Sequence, residues 1–75
     1  MADRMNLTGP QSCVLEFILR YRTERQMPPT RAEISRAMGW RSPNAAQEVL
    51  EALDRKGCIK LMPNIARGIF VMSAE

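Results

Sequence analysis

The chain has no histidine, only two cysteines and four glycines, and one tryptophan, one tyrosine and two phenylalanines as its whole aromatic content. Without an imidazole the usual general base and the commonest metal ligand are both missing, and cysteines at 13 and 58 lack the spacing of a zinc site. The glycines stand singly at 9, 39, 57 and 68, so there is no glycine-rich loop to cradle a phosphate. Ser12, Ser35, Ser42 and Ser73 each read as cap or turn residues with no base beside them, and Lys56 and Lys60 fall on exposed positions. An enzyme is not expected, nor a cofactor, a metal or a small-molecule substrate. No apolar run is long enough for a membrane span, and the opening MADRMNLTGP is unlike a signal peptide, so a cytoplasmic location is expected. Cys13, near Val14 and Leu15, and Cys58, beside Ile59, read as buried free thiols.

What the chain does have is enough for one small domain, 1–75, with 45% hydrophobic and 25% charged residues. Eleven basic against eight acidic side chains give a formal charge of +3, which favours a polyanionic partner. The distribution matters more than the total. Arg31, Arg36 and Arg41 follow one another into the middle of the chain, with Glu33 alone among acids nearby.

The organising stretch is 28–57, PPTRAEISRAMGWRSPNAAQEVLEALDRKG. Thr30 with Glu33 three residues on is a capping box, and Ser42 before Pro43 is a second helix start. Gly39 closes the first of these helices and Gly57 the second. Two helices at about 30–39 and 42–56 with so short a joint predict a helix-turn-helix. In front of them Thr8 and Gln11 form another capping box for a helix over about 8–25, whose inward face is Val14, Phe17, Ile18 and Tyr21 with Leu15 beside them. The link at 26–29 must be extended because of Pro28 and Pro29. In the middle helix Ile34, Ala37 and Met38 are expected inward, and Trp40 is expected to pack beneath the turn in preference to stacking on a base. After Gly57 the period changes: short apolar runs at 58–62 and 69–72 flank a turn at 63–68, which predicts a β-hairpin. The fold class is therefore mainly α with a small β-hairpin: a winged helix-turn-helix of three helices and a wing, the wing at about 58–72.

In the third helix Ala46, Val49, Leu50 and Leu53 share one face, and Asn44, Glu48, Glu51 and Arg55 share the opposite one. The plain reading of the second set is a solvated helix surface. The sharper reading places 42–48 in a major groove: Asn44 suits adenine, the methyl of Ala45 suits thymine, Glu48 accepts from cytosine N4, and Ser42 or Gln47 reaches a base or a phosphate. Arg67 at the wing is placed to meet backbone phosphate.

The phrases MPPTRAEI and RSPNAA, the LxxKG at 53–57 and the RGI at 67–69 resemble the N-terminal DNA-binding domain of LexA repressors over about 7–70. The resemblance implies a winged helix-turn-helix that represses transcription in the SOS response by binding a palindromic double-stranded operator with CTGT-type half-sites. It puts base reading on Ser42, Asn44, Ala45, Gln47 and Glu48, and phosphate contact is expected of Arg31, Arg41, Arg55, Lys56 and Arg67. Gln47 stands where that family often has glutamate, and Pro10 where it usually has a basic residue, departures that bear on operator preference and on one phosphate contact.

LexA proteins continue into a self-cleaving, dimerising domain that cuts an Ala-Gly bond; these residues contain no Ala-Gly dipeptide, and self-cleavage is not expected of them. The expected setting is the cytoplasm of a bacterium, whether the gene is chromosomal or phage-borne, in association with the nucleoid. The partner expected beside DNA is a second copy on the operator or another protein. A different class stays open: a winged-helix module that binds protein, or the partner of a larger repressor, favoured by the acids Glu48 and Glu51 on the outward face.

Overall fold

The computed structural model describes residues 7–62, 64–65 and 67–72. Along the chain lie α1 (Gly9–Arg25), α2 (Arg31–Met38), α3 (Pro43–Arg55), β1 (Ile59–Leu61) and β2 (Ile69–Val71). These are the expected three helices and hairpin in the expected order, a mainly helical winged helix-turn-helix.

Local chemistry sets each boundary. Thr8 and Thr30 are extended N-caps whose hydroxyls accept from the N–H groups of Gln11 and Glu33, while those two side chains accept from the cap N–H in return. Ser42 caps α3 by accepting from the Asn44 N–H, with Pro43 in the first turn where its missing donor is harmless. At the other ends Gly39 and Gly57 both take φ near +80°, the left-handed conformation that lets the next residue bond back: Trp40 N–H reaches the Ser35 carbonyl and Cys58 N–H the Leu53 carbonyl. Gln26 ends α1 in the same conformation without being glycine.

The core is formed where the three helices and the hairpin meet: Val14, Leu15, Ile18, Ile34, Ala46, Leu50, Leu53, Cys58, Ile59 and Ile69 are buried together. Trp40 packs against this cluster under the turn, as expected. In the antiparallel hairpin Ile59 faces Val71 and Leu61 faces Ile69 on the inner side, and Lys60 faces Phe70 on the outer. Bonds from Met62 N–H to the Gly68 carbonyl and from Met72 N–H to the Cys58 carbonyl carry the pairing one step past each strand, so the ladder runs from 58 to 72. Pro63 and Ala66 of the expected turn lie outside the described residues, as do residues 1–6 and 73–75.

Three expectations are corrected. Cys58 is buried and free, but Cys13 is free and exposed, because its neighbours in sequence, Val14 and Leu15, turn onto a different face of α1. Ala37 is exposed; the inward place beside Ile34 is taken by Ser35, which is 3% exposed. Lys56 is half-buried, its ammonium donating to Gln11 Oε1 at 2.7 Å, so the end of α3 is tied to the start of α1. Among the described residues no helix is long and apolar enough to cross a membrane.

Candidate nucleic-acid interface

The apolar stripe of α3 decides what its other side presents. With Ala46, Leu50 and Leu53 sealed in the core and Val49 packed at its edge, the helix cannot rotate without exposing them. Burial of the two leucines is worth roughly 1.5–3 kcal/mol each, enough to fix the phase of the helix. Asn44, Glu48, Glu51 and Arg55 consequently all lie exposed. Ser42 is exposed at the cap, and Ala45 and Gln47 are half-buried at the margin of the face.

Ser35, expected from sequence to be a cap or turn residue, is instead buried inside α2 and positions this face. Buried Ser35 in α2 donates its hydroxyl to the Ser42 carbonyl at 2.9 Å, and the same carbonyl accepts the Ala45 N–H at 3.1 Å. The bond pins the first turn of α3 to α2, so the outward residues start from a fixed point. A serine between Ile34 and Met38 gave a faint signal: a small polar residue on an otherwise apolar helix face implies a buried acceptor opposite.

The cations divide into two groups. Arg41, in the turn before α3, and Arg55, in its last turn, are exposed and have no bonded partner among the described residues; the same is true of Arg36 at the end of α2. Arg36 and Arg41, with Ala32, Ser35, Trp40 and Pro43, line a shallow hollow of about 270 Å³ beside the start of α3. Arg31, Lys56 and Arg67 are instead engaged inside the domain.

The Arg67 arrangement departs from the expectation of an unengaged wing cation. Its guanidinium forms a fork on Glu33, Nη1 to Oε1 at 3.0 Å and Nη2 to Oε2 at 3.2 Å, and Nη1 also donates to the Pro28 carbonyl at 2.8 Å. The wing is thus braced against the start of α2. Arg67 lies 34 residues from Glu33 in sequence, which is why a local reading of either charge finds no partner. The Glu33 carboxyl is held at about 2, against an ordinary 4.5, first by the Arg67 bonds and then by the Thr30 N–H, with a smaller contribution from the Tyr21 hydroxyl and with desolvation opposing.

Gln47 is also spoken for. Its Oε1 accepts from Arg31 Nε, and its Nε2 donates to Glu51 Oε2 at 2.7 Å.

A helix pair with a tight turn, an adjoining wing, and a second helix whose polar face is forced outward by its core stripe together define a winged helix-turn-helix module of the DNA-binding class. The family model described as LexA DNA binding domain matches residues 4–68, and the chain belongs to that family. It is similar to the LexA repressor of Marinobacter nauticus, 54% identical over 71 residues, which cover 95% of the chain and 35% of the relative. The LexA repressor of Cellvibrio japonicus is 53% identical over 93% of the chain and 35% of its own length, and that of Shewanella pealeana 54% over 84% and 31%. The chain spans about a third of the length of the curated relatives it matches.

Proposed function

We propose that this domain binds duplex DNA sequence-specifically and serves transcriptional repression, inserting the first turn and a half of α3 into the major groove. The observation that carries the reading is the fixed outward phase of α3, with Asn44 and Glu48 exposed over a helix start anchored by Ser35. In this reading Asn44 pairs with adenine through both ends of its amide, Ala45 touches a thymine methyl, Glu48 accepts from cytosine N4, and Ser42 donates its hydroxyl. Membership of the LexA DNA-binding family and similarity to LexA repressors support the same role.

The phosphate contacts fall to Arg41 and Arg55, near the two ends of α3, and to the terminal nitrogens of Arg31 at the start of α2. The 12 steps of α3 from Pro43 to Arg55 rise about 18 Å, wider than a major groove of about 12 Å, and Arg41 stands just before that start, so in this reading the two cations meet opposite sugar-phosphate ridges. Arg67 does not join them; it acts as the brace of the wing. Lys56 contributes by holding α1 against the end of α3.

A single domain with so few phosphate contacts binds weakly and with marked salt dependence, so repression requires two copies on a palindromic operator, or a further protein that pairs them. The test is a titration of CTGT-containing palindromic duplex against scrambled duplex at two salt concentrations, with wild type and Asn44→Ala. The expected loss for Asn44→Ala is roughly 1–3 kcal/mol on the palindrome and little on scrambled DNA. Equal losses on both duplexes reject the base-reading role. Absence of any sequence-dependent difference for wild type transfers the face to protein recognition, the role that the exposed acids Glu48 and Glu51 would favour.

A further inference from the structure

Among the residues at the margin of the reading face, Gln47 is distinguished by having both ends of its amide bonded within the domain. Arg31 Nε donates to the carbonyl oxygen, and the amide nitrogen donates to Glu51 Oε2 at 2.7 Å. Arginine only donates and an ionised glutamate only accepts, so the two neighbours dictate which end of the amide is which. The three side chains link the first turn of α2 to two successive turns of α3. Both bonds include an ionised partner, which makes them stronger than neutral ones.

Reading adenine with a glutamine takes both ends of the amide at once. Here that would require abandoning both charge-assisted bonds and leaving Arg31 and Glu51 without them. We propose that Gln47 is a positioning residue in place of a base reader: Arg31, Gln47 and Glu51 form a clamp that fixes α3 on α2 and sets the depth at which Asn44 and Glu48 enter the groove. This inference rests on the DNA-binding reading above. The clamp has two consequences. It occupies one oxygen of Glu51, one of the two acids of the outward face, with a hydrogen-bond donor. It also leaves the two terminal nitrogens of Arg31 for a phosphate, so the side chain that docks on the backbone is the one that holds the reading helix.

The test is selection of bound duplexes from a pool randomised across one half-site, followed by sequencing, for wild type, Gln47→Ala, Arg31→Ala and the double variant. Thermal unfolding of all four proteins accompanies it. In Gln47→Ala the base preferences flatten together at the positions read by Asn44 and Glu48, and affinity for the selected duplex falls about fivefold, since the two bonds removed act on positioning and not on the DNA itself. Arg31→Ala flattens the same positions, and the double variant flattens them no further. Loss of preference at a single position in Gln47→Ala, with Arg31→Ala unchanged in profile, would overturn the clamp and make Gln47 a reader. Should wild type enrich no sequence, the DNA-binding reading fails, and the unfolding data still decide the clamp. Non-additive shifts in melting temperature for the Arg31 and Gln47 substitutions support it, and additive shifts refute it.

Discussion

Glu33 has two duties at once, and removing its charge tests both. Its Oε1 accepts the Thr30 N–H at 2.8 Å, closing the capping box of α2, and its two oxygens together take the Arg67 fork that braces the wing. Glu33→Gln keeps the shape and one acceptor oxygen but removes the charge. An exposed ion pair contributes roughly 0.2–1 kcal/mol, and a hydrogen bond to a charged group a net of roughly 1.5–3 kcal/mol. With the two side chains 28% and 35% exposed, screening puts the expected loss near the lower bounds, about 1–2 kcal/mol. For a domain of this size that lowers the melting temperature by roughly 4–16 °C. The pH dependence carries the sharper signature. The folded carboxyl sits at about 2, below its ordinary 4.5, so its stabilisation is fully present above about 4.5 and is lost as pH falls toward 2. Wild type and Glu33→Gln are therefore expected to differ at pH 7 and to converge by pH 2–2.5, measured by circular dichroism melts in low salt. In an Arg67→Ala background the Glu33→Gln difference at pH 7 shrinks to the capping contribution. A gap that stays constant from pH 7 to pH 2, or an effect that is the same with and without Arg67, refutes the brace.

Other outcomes follow from equally local geometry. A Cβ on Gly68 would lie 2.6 Å from the Met62 carbonyl oxygen and 3.1 Å from Ile65 Cβ, so Gly68→Ala is expected to cost about 1–3 kcal/mol by forcing the hairpin apart, read as a lower denaturant midpoint. Ser35→Ala removes the donor to the Ser42 carbonyl and is expected to cost about 1–2 kcal/mol in stability; unchanged unfolding would show that the helix start is held by packing alone. An aromatic disulfide reagent should label Cys13 in the native protein within the mixing time of an exposed thiol, and Cys58 only at the rate of unfolding. Equal rates at the two thiols would contradict the burial of Cys58.

How much of this was legible in the sequence depended on the range of the interaction. Helix boundaries came from residues three or four apart, as at Thr8 with Gln11 and Thr30 with Glu33, and these local signals gave all three helices and both glycine closures. The phase of α3 was equally plain, because one period sorts its apolar and polar sides without knowledge of a partner. Cys13 and Ala37 were misplaced for a related reason: being apolar and near apolar residues in sequence does not place a side chain on the buried arc of a helix. Ser35, Lys56 and Arg67 find partners 7, 45 and 34 residues away. Periodicity carries no trace of such pairs: taken alone, Ser35 read as a cap or turn residue, and Lys56 and Arg67 as exposed cations for phosphate.

Those distant pairs explain how so small a domain presents a rigid face. The buried cluster fixes the rotation of α3 but says little about the wing, whose strands are only three residues each and whose outer side exposes Phe70. An isolated hairpin of that length is marginal in water. Its inner side rests on the core through Ile59 and Ile69, and Arg67 adds a second, polar attachment through Glu33 and the Pro28 carbonyl. Since Glu33 also closes the start of α2, wing and helix-turn-helix share one carboxylate. The Ser35 bond and the Arg31, Gln47 and Glu51 bonds then secure α3 to that same α2. Of the arginines engaged in this bracing, Arg67 is taken from the positive charge that a polyanion would meet and Arg31 keeps only its terminal nitrogens for it, which leaves Arg36, Arg41 and Arg55 as the arginines on the helix-turn-helix with no bonded partner among the described residues. Rigidity of the outward face is thus obtained at the expense of non-specific attraction, a balance in keeping with the proposal that two copies act together on one duplex.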